Sequence, residues 1–563
     1  MALRFGVLCN DLTFSAWEAE VLDRLLEVEQ VELALFVVND QPTASPSSLT
    51  TKVRKLFTHA GAWTLYRRYF VNEKSRALNA VDLSDRFSDV PRLSCRPRRE
   101  GKYSEYFVEE DLEEIRSYDL DFLLRFGFGI IRGEILEAAR YGVWSYHHDD
   151  LDKYRGRPPC FWEIDEGDPV TGAVLQRLTD RLDGGIILKK GYFKTVDTSY
   201  AANRDKVYFG SVGWPAQVCR DLLNGCADYM EAPPVSTDAP LYYQPKRTEL
   251  LQVILKSTWN YIRRQISALL FADQWNVGVI DRPVTTLLDS TTLPPASWLP
   301  ESERSTYVAD PSSVDEETLL AEEFDYRTGR GHVSAFRRRS SKWERLGVAI
   351  DEEDHLSYPY VLQAKGKTYC VPESAEAGKV VLYEKNASPL QWTRICTLIE
   401  EPVLDPTLVH HKDRWWLFGT LKGHYDNTKL FLWTSEALTQ GWIRHPGCPV
   451  KCDVRSARPA GRLFMHEGDL YRPAQDCSRE YGGAVAINRV VHMSPTRYEE
   501  EMITRVHPNP NSSYPHGTHT LMGANGKTLV DAKQRTFVPS SSLEFIRKKG
   551  HRFLETFGFS EQS

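Results

Sequence analysis

Hydrophobic and polar positions follow one rule up to about Trp275 and another after it. In the first part, compact apolar runs alternate with segments whose apolar residues recur three and four apart, the spacing of one helix face. Leu3 to Cys9 (LRFGVLC) reads as a strand, Ala16 to Val28 as a helix with Trp17, Val21, Leu22, Leu25 and Leu26 on one side, and Val31 to Val38 as the next strand. That order opens a parallel α/β sheet. Residues 41 to 88 interrupt it with a Ser/Thr/Pro-rich start and a basic, aromatic, helix-like piece, Lys52 to Leu78, read as an insertion packed on the sheet. The alternation then resumes: a short strand at Pro91 to Cys95, a helix at Glu109 to Ser117, a strand at Leu120 to Phe126, a helix at Gly133 to Ala139 and a strand at Val143 to His147. Val207 to Leu223 and Leu250 to Leu270 show helical spacing, and the Pro-rich strip between them, APPVSTDAPLYYQPKR, reads as a connector.

After Trp275 the pattern changes to short strands and tight turns. Five segments, beginning near Ala309, Ser357, Leu404, Ala457 and Gly517, each read as strand, turn and strand, and most add a third strand. Their period is close to that of propeller blades, so a five-bladed β-propeller is predicted. The expected organisation is multidomain: an α/β parallel-sheet domain over 1–200, a helical connector over 201–272, an all-β five-bladed propeller over 273–545 and a tail over 546–563.

Composition adds limits. Hydrophobic content of 41%, charged content of 26% and a net charge of -7 over 563 residues describe an ordinary globular chain, with no electrostatic footprint for nucleic acid. The basic run Arg337-Arg338-Arg339 reads as a solvated strand edge. The N-terminus meets Arg4 and Asp11 too early for a signal peptide, and no apolar run reaches the length of a membrane span. The ten cysteines are scattered without zinc-finger spacing. A cytosolic protein with no membrane partner is the expectation.

The candidate chemistry begins where Val143 to His147 delivers polar side chains at a strand end, the usual place for a site in an α/β fold. No Gly-rich phosphate loop follows the first strand, which argues against a nucleotide held by that device. His147-His148-Asp149-Asp150 suggests a metal, but strand alternation sends the two histidines to opposite faces, so none is expected there. In the second part, Asp310, Glu323, Glu373, Asp405 and Asp476 recur on successive segments, and Arg458 and Arg472 are their candidate ion-pair partners.

Tyr154-Arg155-Gly156 and Leu182-Asp183-Gly184-Gly185 carry a resemblance. With the strand before them, they resemble the catalytic segment of the folate-dependent formyltransferases, which place Asn, one residue and His on the strand, then Tyr/Trp-Arg-Gly, then Leu-Asp-x-Gly. The matching positions are Ser145, His147, Tyr154-Arg155-Gly156 and Asp183. The resemblance implies N10-formyltetrahydrofolate as cofactor, lying against Phe126, Gly127, Phe128, Gly129 and Asp180. It implies His147 and Asp183 as the catalytic pair, Ser145 in the place of an Asn oxyanion donor, and Tyr154, Arg155 and Gly156 as the substrate loop. The second part resembles the five-bladed propellers of the glycoside hydrolase 43 and 32 type, and the propeller-like domain beside some sugar transferases. One Asp-Pro of those enzymes reads Tyr358-Pro359 here.

Together these imply formyl transfer to a small-molecule amine, most plausibly an amino sugar, with a glycan as a further partner of the propeller. Two rivals stand beside that reading. One is glycoside cleavage or glycosyl transfer by Asp310, Asp405 and Glu373. The other is glycan binding without chemistry, motivated by Ser145 and Tyr358.

Overall fold

The computed structural model describes residues 2–41, 59–101, 103–181, 184–339, 342–423 and 425–537. The chain divides into two compact units, Met1–Asn260 and Tyr261–Ser563.

The first unit is built on a seven-stranded sheet of β1 (Leu3–Cys9), β2 (Val31–Asn39), β3 (Arg92–Cys95), β4 (Phe122–Arg125), β5 (Val143–His147), β6 (Val170–Arg177) and β7 (Ile186–Lys194), in the order 7-6-5-4-1-2-3. Strands β3 to β5 on this path are parallel. Their near-continuous apolar runs follow from burial on both faces: Phe5, Val7, Leu8, Phe122, Leu123 and Leu124 are all fully buried. The apolar pattern predicts a parallel sheet, and the structure departs from that at one edge. β6 runs antiparallel to β5, and β7 antiparallel to β6. The eight positions 178–185 between β6 and β7 suffice to join an antiparallel pair, whereas a parallel pair needs a longer crossover.

Helix α1 (Ala16–Leu26) starts at a capping box, in which the Ser15 N–H donates to Glu18 Oε2 at 2.9 Å, and it buries Trp17, Val21, Leu22 and Leu25. The predicted Val207–Leu223 helix is two helices, α2 (Tyr200–Ser211) and α3 (Trp214–Leu223), because Gly213 and the Pro at the start of the second interrupt the bonding ladder. Both pack on β7, so this stretch belongs to the first unit. Helix α4 (Arg247–Leu270) carries the division between the units within it. Of the insertion Lys52 to Leu78, residues 52–58 lie outside the described residues; the rest forms a helix at His59–Tyr66, a wide helical turn at Arg67–Asn72 and a short turn at Arg76–Leu78.

Among its described residues the second unit contains five antiparallel sheets of four or five strands. One joins the unit's first long strand, Phe271–Ile280, to its last, Lys527–Phe537, over ten paired positions. The others open with Thr306–Ser313, Ser357–Ala364 and Val403–His411, and the fifth contains Asp469–Asp476. One apolar core holds Val277, Val308, Leu319, Tyr358, Val403, Leu408 and Met522 together, so at least four of these sheets share their interior. No helix among the described residues is long and apolar enough to cross a membrane.

Candidate functional site

The polar strand end in the first unit lies beside the reversal of strand order between β1 and β4. Alternation along β5 separates the two histidines as predicted. His148 is buried, its ring 3.9 Å from that of Tyr208 and 5.1 Å from that of Trp17, and burial, with help from His147 and Arg204, holds its pKa down at about 3. His147 faces the other way, with Nε2 3.7 Å from Asp149 Oδ2. Asp183 lies outside the described residues.

The other expected positions are occupied by internal bonds. Ser145 Oγ accepts from Arg125 Nη1 at 3.1 Å, and the same guanidinium donates to the Gly129 carbonyl at 2.5 Å. Ser145 is therefore tied to the loop through its acceptor oxygen. The Gly129 N–H donates to the buried Glu105 at 2.6 Å, and the Phe128 N–H to Asn10 at 3.3 Å, so backbone donors assigned to a cofactor are already satisfied. Gly127 sits so close to β1 that a Cβ would come within 2.5 Å of the Cys9 carbonyl carbon, and Phe126 packs edge-on to Trp17. Asp180 accepts from the Gly133 N–H at 3.0 Å, while its carbonyl accepts from Arg132. The predicted substrate loop holds the Pro-rich strip. Arg155 Nε donates to the Ala239 carbonyl at 2.8 Å, Arg155–Gly156 pairs with Leu241–Tyr242, and Tyr154 packs near Tyr242. Gly156, at φ 104, is required there because a Cβ would meet the Tyr242 carbonyl oxygen.

The second unit holds a denser site, and its local cause is a repeated bulge. The pairing register breaks between Ala309 and Ser312, between Ser357 and Tyr360, and between Leu404 and Thr407. Each break contains a residue followed by proline: Asp310, Tyr358 and Asp405, at φ 52, 42 and 49. Proline has no N–H for the ladder, and the extra residue re-aims the side chain before it. Two further inner segments add Arg458, also followed by proline, and His519.

These side chains meet. Arg458 Nε and Nη2 donate to Asp405 at 2.5 and 3.2 Å, and Gln475 Nε2 donates to Asp405 Oδ2 at 2.7 Å. The Asp405 N–H donates to Glu373 Oε2 at 3.0 Å, and Arg458 lies 3.7 Å from the same carboxyl. Tyr358 donates to or accepts from Thr407 at 2.7 Å and accepts from the Gly461 N–H at 2.7 Å. On the other side, His519 lies 2.7 Å from Asp531 and 3.3 Å from Asp310. Asp531 also accepts from the N–H groups of Asp310, His519 and Thr520, each at 3.0 Å. Asp310, His519 and Asp531 bring ligand atoms within 4.8 Å of one another, a donor set able to hold a metal ion.

Burial and charge divide the acids. Burial, reinforced by Asp405 and opposed by Arg458, pushes Glu373 up to about 8. Burial raises Asp310 well above the usual range against the pull of His519, and burial with Glu373 does the same to Glu322. Burial also opposes the charge on His519, but Asp531 and Asp310 outweigh it and raise its pKa. Asp531 goes the other way, because its bonds to His519 and Thr520 overcome its burial. A proton donor and a charge-paired carboxylate thus stand side by side at Glu373 and Asp405. The exposed Tyr481 lies over Arg458, ring centroid to guanidinium 5.1 Å.

Four of the sequence-predicted acids and bases in this unit converge: Asp310, Glu373, Asp405 and Arg458. Glu323 does not. It pairs with Arg345 at 2.7 Å and accepts from Ser334, and these bonds with that of His332 overcome its burial and hold it near 2. Its neighbour Glu322 is the residue facing the site, as strand alternation requires. Asp476 pairs with Arg505 at 2.7 Å and accepts from the Ser478 N–H, away from the cluster. Arg472 serves Glu500, at 2.5 Å. Sequence reasoning missed Glu322, Gln475, His519 and Asp531. Aligning the fifth segment, GTHT, on the residue before each proline would have found His519.

Comparisons with known proteins match both parts. Residues 292–522 match the family described as glucosamine inositolphosphorylceramide transferase 1, N-terminal. The rice (Oryza sativa subsp. japonica) protein named glucosamine inositolphosphorylceramide transferase 1 is 36% identical over 206 residues, 35% of this chain and 28% of that relative. The chain thus spans less than a third of the length of that curated relative. A methionyl-tRNA formyltransferase from Agathobacter rectalis is 27% identical over 121 residues, 21% of this chain and 39% of its own. A solved glycoside hydrolase 43 β-xylosidase/α-arabinofuranosidase from a compost microbial metagenome aligns with a TM-score of 0.31 and 14% identity, over 44% of this chain and 96% of its own.

Three expectations are corrected. The fusion of a formyltransferase-like N-terminal region to a second, β-rich unit stands, but formyl transfer as the function does not, because the stronger likeness is to sugar transferases. N10-formyltetrahydrofolate falls with it, consistent with Glu105 and Arg125 occupying the loop where it would lie. Cytosolic placement is withdrawn as well, since the relatives are named for a ceramide, a lipid.

Proposed function

We propose that the second unit is a five-bladed propeller whose axial cluster handles a glycosyl group in a transfer reaction. The propeller reading is supported by the five sheets, by the pairing of the unit's first and last long strands, and by the convergence of Asp310, Tyr358, Asp405, Arg458 and His519 from five inner segments. The observation that carries the chemistry is the Glu373 and Asp405 pair, one carboxyl holding its proton up to about 8 and the other bound to Arg458. In glycosyl transfer the bond from the anomeric carbon to the donor's leaving oxygen breaks as a bond to the acceptor's hydroxyl oxygen forms. Glu373 gives its proton to the leaving oxygen and then, as the carboxylate, takes the acceptor's proton, while Asp405 places negative charge beside the oxocarbenium-like carbon. Likeness to the rice transferase supports a sugar donor and a lipid-linked inositol acceptor.

The test is incubation with labelled nucleotide sugars, an amino sugar donor among them, and inositolphosphorylceramide in micelles. Labelled lipid should form and should be lost in Glu373→Gln and Asp405→Asn. No labelled product from any donor overturns the reading. A second reading, glycan binding without chemistry, is favoured by the complete internal bonding of Asp405. Saturable sugar binding with no product in the same mixtures would establish it.

A further inference from the structure

A second opening lies in the same unit, away from the charged cluster. It is a pocket of about 440 Å³, a volume within the range of small-molecule sites, and Ser313, Gln363, His410, Trp415, Arg462 and Asn525 line it. Five of these come from the same inner segments that supply Asp310, Tyr358, Asp405, Arg458 and His519, each three to six residues farther along the chain. At about 3.3 Å per residue in a strand, the pocket sits roughly 10 to 20 Å from the charged residues, at the other end of those segments.

Its lining has a definite chemistry. The Trp415 ring is half-buried, 4.9 Å from that of His410. Tyr360 spends its hydroxyl on the Leu408 carbonyl at 2.5 Å and leaves its ring 5.9 Å from the Arg462 guanidinium. Arg462 donates from Nη2 to the Val361 carbonyl at 2.5 Å and also bonds towards the Tyr360 hydroxyl, and a guanidinium has five N–H donors. Exposed amides, Gln363 and Asn525, stand at the mouth, and the Asp315 carboxylate also lines the pocket. A hydrocarbon chain would leave the amides and guanidinium without partners, at a desolvation cost. A polyphosphate would find one cation beside one carboxylate. A sugar ring answers both features, because its C–H face lies flat on an indole and its hydroxyls both donate and accept.

We infer that this pocket is a saccharide-binding site, separate from the charged cluster, that seats a sugar ring on Trp415 and bonds its hydroxyls to Arg462, Gln363 and Asn525. It does not depend on the transfer reaction proposed above. The test uses the full chain with methyl glycosides of glucose, galactose, mannose and N-acetylglucosamine, followed by saturation-transfer NMR and calorimetry. At least one should bind at millimolar concentration, and Trp415→Ala and Arg462→Met should each weaken it about tenfold or more. Gln363→Trp fills the mouth from an exposed position; it should abolish binding with an unchanged melting temperature, which keeps the test decisive if Trp415→Ala misfolds. Tyr481→Ala, at the exposed ring over Arg458 in the other cluster, should retain the saccharide. The inference is overturned if no glycoside binds, if binding survives Gln363→Trp, if Tyr481→Ala removes it, or if inorganic phosphate binds more tightly than every sugar.

Discussion

Glu373 shows how one carboxyl links acid chemistry to stability. Its pKa in the folded chain is about 8, raised by burial and then by Asp405, against an ordinary value of 4.5. Below that ordinary value both folded and unfolded forms are protonated, and no cost arises. As pH rises towards about 8 the unfolded chain gains by ionising while the folded one cannot, so stability falls across that window. Denaturation midpoints should therefore drop between about pH 5 and 8 in the wild type and drop less in Glu373→Gln. Turnover in the transfer assay should fall above about pH 8 as the acid loses its proton. Equal pH slopes for the two proteins would show that the proton on Glu373 is not linked to folding. Arg458 is the counterpart. Arg458→Met leaves Asp405 buried without its cation and should cost about 3 to 5 kcal/mol in urea denaturation, and adding Asp405→Asn should restore part of the loss.

The strands and bulges explain why some of these residues were legible and others were not. Asp310, Asp405 and Arg458 each precede a proline in a recurring segment, and that local signal survives in one dimension. Glu322 and Glu323 are adjacent, and only the pairing register decides which faces inward; a one-residue shift reverses the faces. His519 and Asp531 are brought beside Asp310 by pairing across more than two hundred residues, which no local pattern encodes. A structural ion pair is the useful contrast to the site. Arg472 and Glu500 are 0% and 2% exposed, and Arg472 with Lys451 overcomes the burial of Glu500 and holds its pKa near 2. Its folded pKa is depressed, so its stabilisation is present above the ordinary value of 4.5 and lost as pH falls towards about 2. Glu500→Gln should destabilise by about 3 to 5 kcal/mol at neutral pH, with the gap to wild type closing through that acid window in denaturation measurements.

The two units make separate predictions because each has its own core. In the second, Lys527–Phe537 supplies the partner for the whole of Phe271–Ile280 and carries Asp531 into the charged cluster. Deleting Lys527 to the end should unfold the second unit while the first keeps its slow amide exchange, read by hydrogen-exchange mass spectrometry. Retained protection over Thr306–Leu421 in that variant would mean that the sheets hold without the joining strand.

Sequence alone determined the kinds of element and where they change. Apolar runs and helical spacing mark the α/β unit, short strands at a recurring interval mark the second, and these patterns arise from contacts within a few residues. The resemblance carried by Tyr154-Arg155-Gly156 and Asp183 located the first unit's strand end, but the partners of the surrounding loops, Arg125, Glu105 and the Pro-rich strip, were decided by tertiary structure. Tertiary structure alone decided which acids meet. Pairing register and the bulges at Asp310, Tyr358 and Asp405 set the direction of each side chain, and burial then set which carboxyls keep their protons.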